Sequence, residues 1–134
     1  CVLFGDGAGA VVLEAADATL QDAGLAEQKR NYVRNIATAF EERGYAVSYF
    51  EGVSDEAVVE ELSAITGVGT WTAKMQLMFG LARPDVFPVE DLGIRRGMEA
   101  LYTDEMDRAE MRTRAERWHP YRSYAALYLW KLVD

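Results

Sequence analysis
The segment from Leu62 to Asp91, LSAITGVGTWTAKMQLMFGLARPDVFPVED, restricts the folds open to this chain more than any other. It reads as a helix end, a tight turn at Gly67-Val68-Gly69, a second helix, a loop punctuated by proline, and an acid opening a third helix. Both glycines are assigned the backbone freedom that a sharp reversal requires. Thr70 to Leu81 then sets Trp71, Met75, Met78 and Phe79 at helical spacing. Pro84 and Pro88 end that helix and stiffen the approach to Glu90 and Asp91. Such a hairpin leaves backbone N–H groups at the start of its second helix, where a phosphate oxygen is well received. A carboxylate follows at the next helix start. On spacing alone, an ordinary helix pair inside a helical core is the favoured description, because two glycines and one aspartate are weak signals.

The flanking sequence also reads as helix. Asp17–Asp22 suggests a short one ending at Gly24, and Gln28–Arg43 a firm one with Tyr32, Ile36 and Phe40 recurring four apart and Gly44 as the stop. Ala46–Phe50 reads as a turn or loop. Ser54 suits the N-cap of a helix over Asp55–Ile65, whose Val58, Val59, Leu62 and Ile65 form one buried stripe. Beyond the hairpin, helices are expected over Leu92–Leu101 and Glu105–Trp118. A last helix starts near Pro120 and runs to Leu132, with His119 as its cap and Tyr121, Ala125, Tyr128 and Leu132 facing inward. There is no internal repeat.

Composition narrows the function. The chain has 134 residues, enough for one domain, and half of them are hydrophobic, which argues against disorder. Its single cysteine, Cys1, cannot build a disulfide framework, a zinc site or an iron–sulfur cluster. No run of about eighteen apolar residues is present, and residues 1–15 lack the basic start of a signal peptide, so a cytoplasmic protein is expected. The net charge of −8 speaks against a nucleic-acid partner at first sight. Its distribution softens the objection: residues 91–134 hold eight Lys/Arg and eight Asp/Glu, whereas the remainder holds six and fourteen.

Four blocks carry a resemblance. ITGVGTWTA, RPDVFPVEDLGIRRG and AERWHPYRSYAALYLW, with DATLQDAGLAEQKRNYVRNIATAF upstream, resemble in order the helix-hairpin-helix/Gly-Pro-Asp DNA glycosylases, and within them the DNA-3-methyladenine glycosylase II type. The resemblance spans about residues 11–134 and implies an all-α domain acting on double-stranded DNA with alkylated bases. Residues 1–15, CVLFGDGAGAVVLEA, read on their own as two strands around a Gly-rich loop, and resemble instead a fragment of the ketoacyl-ACP synthase III family. The expected organisation is therefore a foreign or junction segment over 1–15 and a partial glycosylase domain over 16–134 that lacks its first helices. That loss is expected to expose the Tyr32-Ile36-Phe40 face and to favour self-association.

The resemblance places the family's catalytic acid at Asp91. The chemistry suits one carboxylate: an alkylated purine already carries positive charge as it leaves, so the demand falls on the oxocarbenium-like sugar and the attacking water. A helix N-terminus keeps such a carboxyl ionised, although capping alone would also explain an aspartate there. Glu90 is expected to be solvated or capping. Trp71 stands where strand-cutting relatives have a Schiff-base lysine, which implies a monofunctional hydrolase, with Lys74 solvated. Trp71 and Trp130 match aromatic positions of the family's base pocket, and Met75 and Leu92 occupy positions that are aromatic in some relatives; core packing is the competing reading of both tryptophans. Gly67, Val68 and Gly69 are expected to hold a DNA phosphate, with Arg95, Arg96 and Arg122 as further phosphate contacts or surface ion-pair partners. The family's monovalent cation would sit on the backbone carbonyls of Ser63, Ile65 and Val68. The alternatives are a non-enzymatic DNA-binding hairpin module and an inactive remnant.

Overall fold
Caps and glycines decide where this chain turns. The computed structural model describes residues 27–45 and 47–134, and among them every regular element is helical. The Gly-rich segment over 1–15 and the short helix expected at Asp17–Asp22 lie outside the described residues. Helix α1 spans Glu27–Arg43. It ends on Gly44 at φ +66°, which lets the Tyr45 N–H return to the Phe40 carbonyl at 3.0 Å. A 3-10 turn at Val47–Phe50 follows, within the stretch expected to be a turn or loop. Phe40 packs edge-on against Tyr45, and Tyr45 packs tilted against Phe50, each with centroids 5.1 Å apart. Phe40 is thus a core residue and Ile36 packs against that core, which corrects the expectation of an exposed face there; the Tyr32 side chain lies outside the described set.

Helix α2 (Asp55–Ser63) is capped as expected, Ser54 Oγ accepting the Ala57 N–H at 3.2 Å. It stops short of Ile65, yet Val58, Leu62 and Ile65 are all buried and Val59 packs on their edge. Helix α3 (Thr70–Met75) runs on into a π-helical turn at Gln76–Gly80. Arg83 then ties the hairpin to the preceding loop, donating to the Val53 and Phe50 carbonyls at 2.9 Å each and to Asp55 Oδ1 at 2.7 Å.

Helix α4 (Leu92–Tyr102) is opened by Asp91. Helix α5 (Arg108–Ala115) is shorter than expected: Asp107 Oδ1 accepts the Glu110 N–H at 2.8 Å and fixes the start, and the Glu116–Trp118 end tightens to 3-10. Helix α6 covers Arg122–Val133, and its inward face is not the expected one. Ser123, Ala126 and Leu129 are buried, whereas Tyr121 and Tyr128 are 62% exposed and Leu132 also faces out. The register is set by a close approach to α4, where a Cβ on Gly97 would lie 2.8 Å from the Leu129 carbonyl oxygen. Ser123 fastens the start of α6, donating to the Arg83 carbonyl at 2.7 Å and accepting the Val86 N–H at 2.9 Å. Among the described residues no helix is long and apolar enough to cross a membrane.

Candidate active site
Three elements converge on one carboxylate. Asp91 is the N-cap of α4, and its Oδ2 accepts the Ile94 N–H at 3.0 Å. From the start of α3, Trp71 Nε1 donates to Asp91 Oδ1 at 2.8 Å; from α6, Trp130 Nε1 donates to Oδ2 at 2.7 Å. Burial pushes the Asp91 carboxyl up, but the indole N–H groups of Trp130 and Trp71 and the backbone N–H groups of Ile94 and Gly93 outweigh it, leaving the group below its ordinary value. Among the described residues no ion pair forms with Asp91. It is an oriented, half-buried anion held entirely by neutral donors.

Both tryptophans expected to line a base pocket grip the acid by their ring edges, an arrangement that spacing does not reveal. Trp71 remains 46% exposed, and the Trp130 ring is joined by Phe79, with centroids 6.1 Å apart and planes inclined by 25°. Leu92, next to Asp91, is exposed, while Met75 packs against the core. Gly93 is a site residue that the sequence reading passed over. A Cβ there would lie 2.9 Å from Trp130 Cδ1 and 3.0 Å from Asp91 Oδ2, so only glycine admits this contact without displacement. A glycine in the first turn of a helix, where alanine is favoured by about 1 kcal/mol, was the available signal.

The hairpin turn differs in detail from expectation. Gly67 takes φ +96° and needs its glycine; Gly69, at φ −91° and ψ 178°, is in extended backbone with nothing within 4 Å of a notional Cβ. Gly69 is the N-cap of α3 and offers no side chain to it, which leaves the first N–H groups of that helix open. Val68 is buried and its N–H bonds to the Ile65 carbonyl at 3.0 Å, so that donor is consumed by the turn rather than held for a phosphate.

The charged neighbours sort differently from the sequence reading. Glu90, expected to be solvated or capping, and Lys74, expected in solvent, form a largely buried ion pair at 2.9 Å, and Lys74 also donates to the Phe87 carbonyl at 3.2 Å. Arg95 turns back onto the loop before α4, donating to the Val89 carbonyl at 3.0 Å and the Glu90 carbonyl at 2.8 Å. Arg122 is committed to Asp85, with Nε 2.7 Å from Oδ1 and a terminal nitrogen 2.8 Å from Oδ2. His119 does not cap α6; its Nδ1 lies 2.6 Å from Asp85 Oδ2, and Asp85 Oδ1 accepts the Arg122 N–H at 3.2 Å. Of the three arginines expected either at phosphates or in surface ion pairs, Arg122 takes the ion pair, Arg95 turns onto loop carbonyls, and Arg96 is exposed.

Comparison with known proteins agrees with this architecture. Residues 10–123 match the family described as HhH-GPD superfamily base excision DNA repair protein. A putative DNA-3-methyladenine glycosylase of Bacillus subtilis is 32% identical over 117 residues, covering 86% of this chain and 41% of that protein. The DNA-3-methyladenine glycosylase of Saccharomyces cerevisiae is 32% identical, with 87% of this chain and 50% of the yeast protein covered. The chain thus spans about half the length, or less, of these relatives. Among solved structures, the Schizosaccharomyces pombe 3-methyladenine DNA glycosylase in complex with abasic DNA superposes with a TM-score of 0.82 at 28% identity, covering 96% of this chain and 66% of that one.

Proposed function
This chain belongs to the HhH-GPD superfamily of base excision DNA repair proteins, and from that premise we propose that it hydrolyses the N-glycosidic bond of alkylated bases such as 3-methyladenine in duplex DNA. The observation that carries the reading is the Asp91 carboxylate, gripped by Trp71 Nε1 at 2.8 Å and Trp130 Nε1 at 2.7 Å and left without a cationic partner among the described residues. An aspartate kept only as an N-cap needs one backbone donor; here two indole N–H groups from other elements also fix both oxygens, as suits a group that must stabilise a transient cation. As the sugar becomes oxocarbenium-like, Asp91 supplies the opposing charge and orients or deprotonates the attacking water. The indoles hold the carboxylate in one rotamer, so little reorganisation is required when the cation forms.

Hydrolysis without strand cleavage is supported by the one position where the resemblance implies an amine, which holds Trp71, and by the nearby Lys74 being engaged by Glu90 and the Phe87 carbonyl. The open N–H groups at the start of α3, with exposed Arg96, are the proposed contacts to the DNA backbone. A monovalent cation on the Ser63, Ile65 and Val68 carbonyls belongs to the same proposal; the Ile65 oxygen accepts the Val68 N–H at 3.0 Å and keeps a second lone pair for it. Self-association through exposed Tyr121, Tyr124, Leu127 and Tyr128, rather than through Phe40, belongs to the same proposal, and gel filtration reads it out.

The test is release of 3-methyladenine from alkylated duplex DNA by the wild-type chain and by Asp91→Asn. Release by wild type alone is expected. Equal release by both removes Asp91 from the chemistry. No release by either, with tight and salt-sensitive DNA binding, identifies a non-enzymatic hairpin module; absence of binding as well leaves an inactive remnant. Borohydride treatment on abasic DNA should trap no covalent adduct.

A further inference from the structure
Arg95 is an arginine without a carboxylate. Among the described residues it joins no ion pair, although acidic side chains outnumber basic ones in this chain. Its half-buried side chain folds back over the loop leading into α4, where one terminal nitrogen donates to two successive carbonyls, Val89 at 3.0 Å and Glu90 at 2.8 Å. Val89 is fully buried, so its carbonyl oxygen depends on a protein donor. The bond to Glu90 acts closer to the acid, because that carbonyl belongs to the peptide unit joining Glu90 to Asp91. A peptide unit is planar, and its six atoms move together. At the other end of this plane the Asp91 N–H donates to the carbonyl of fully buried Pro88 at 2.9 Å. Bonded at both ends, the plane fixes where the Asp91 Cα lies. The peptide unit after Asp91 is held as well, its carbonyl accepting the Arg95 N–H at 3.1 Å. Arg95 thus touches both peptide units that flank Asp91, the first by its side chain and the second by its backbone.

We propose that Arg95 is a positioning residue for Asp91: its guanidinium locks the peptide plane that carries the aspartate, so that the carboxylate meets both indoles at once. The effect on rate rests on the glycosylase reading above. The Trp71 and Trp130 N–H groups come from α3 and α6, and both can bond at 2.8 and 2.7 Å only while the Asp91 Cα stays in register with those helices. A guanidinium that turned outward to a DNA phosphate would abandon the two carbonyls and strand the buried one of Val89. Exposed Arg96, next in the chain, has no such commitment to the loop.

Two substitutions test the lock. Arg95→Met keeps an apolar stem and removes the donors; Arg95→Lys restores an amine, and a single nitrogen is all that the two bonds use. On duplex DNA carrying 3-methyladenine, kcat per folded molecule of Arg95→Met is expected to fall by about tenfold to a hundredfold, as misplacement of a reacting group does, with KM changed by less than about twofold. Arg95→Lys is expected to recover most of that loss; if lysine recovers nothing, the donors are not what matters and the proposal fails. Weaker DNA binding with a salt slope reduced by about 1 and an unchanged kcat would identify a phosphate contact and overturn it. A lower unfolding midpoint with kcat unchanged would overturn it too, leaving Arg95 a purely structural residue. The indole N–H resonances of Trp71 and Trp130, assigned through Trp71→Phe and Trp130→Phe, give a readout that needs no DNA. Arg95→Met should move both resonances, and Arg95→Lys neither. If wild type releases no base yet the resonances move in this way, the glycosylase reading fails and the positioning role stands. If they stay in place in Arg95→Met, Asp91 has not moved and the positioning role is refuted. Should Arg95→Met not fold, Arg95→Gln, polar but shorter, is read by the same criteria.

Discussion
Two aspartates, Asp85 and Asp91, stand on either side of Pro88 and are handled in opposite ways. Asp85 meets a cation: Arg122 grips both its oxygens, and the His119 ring closes on Oδ2. The Arg122 guanidinium, against a smaller opposing effect of burial, holds its carboxyl well below the usual carboxylate range. Asp91 meets only neutral N–H groups, two from indoles and the rest from the start of α4. Both are depressed and both are partly buried, yet only Asp85 has had its charge cancelled. A cancelled charge fastens two parts of a fold, here the Pro84 loop and the start of α6. A charge oriented but left uncancelled keeps its field for a cation that comes and goes during a reaction.

The sharpest way to break this comparison is to neutralise each aspartate in turn. Asp91→Asn should lower excision of 3-methyladenine by about a hundredfold to a thousandfold, since a preorganised electrostatic group is lost. Its unfolding free energy should fall by only about 1 kcal/mol, because asparagine is also a good N-cap but its amide NH2 cannot accept one of the two indole N–H groups. Asp85→Asn should do the reverse. Loss of the Arg122 pair and of the acceptor for the Arg122 N–H is expected to cost about 2–4 kcal/mol in denaturant unfolding. Activity per folded molecule should remain near wild type. If both variants lose stability alike and keep activity alike, Asp91 is a second fastener and nothing more. Gly93→Ala comes next in size. Its Cβ must displace Trp130 or Asp91 Oδ2, and misplacement of a reacting group on that scale lowers excision by about tenfold to a hundredfold. An unchanged rate would show that the close contact is incidental.

These two aspartates also mark the border of what the sequence discloses. Asp91 as the opener of a helix was legible, and so were the Ser54 cap and the hairpin, because caps and turns are written in residues a few positions apart. The resemblance supplied the catalytic role proposed for Asp91, beyond the N-cap that spacing suggests and the structure shows. Asp85 was invisible: its meaning depends on Arg122 and His119, which the fold delivers from far along the chain. The same distance hid the pairing of Lys74 with Glu90. The register of α6 failed for a related reason. Its aromatic spacing favoured Tyr121, Tyr128 and Leu132 as the buried face, but Gly97 on α4 receives Leu129 at its bare Cα and rotates that face outward. The edgewise use of Trp71 and Trp130 was likewise beyond reach, since a tryptophan's position says nothing about where its N–H points.

That N–H supplies the smallest and most specific test. Trp130→Phe keeps a ring to stack on Phe79 and removes one donor from Asp91 Oδ2. Burial, which pushes the Asp91 carboxyl up, is then opposed only by Trp71 and the backbone N–H groups of Ile94 and Gly93, so the group must rise from its depressed position. Because the carboxylate is the form proposed to act, the acid limb of the rate–pH profile should move to higher pH. At neutral pH the rate should fall by only about fivefold, the worth of one hydrogen bond of about 1 kcal/mol. The sign for stability follows from the same depression. A carboxyl whose folded value lies below its unfolded one adds stability above the unfolded value and loses it as pH falls through the folded one. The stability gap between wild type and variant should therefore be widest near neutrality and close in acid, as read from denaturant midpoints across pH. An acid limb that stays in place would make Trp130 an ordinary packing residue. A limb that moves identifies its indole N–H as one of the groups that let an uncancelled carboxylate persist here, and that persistence is what distinguishes Asp91 from Asp85.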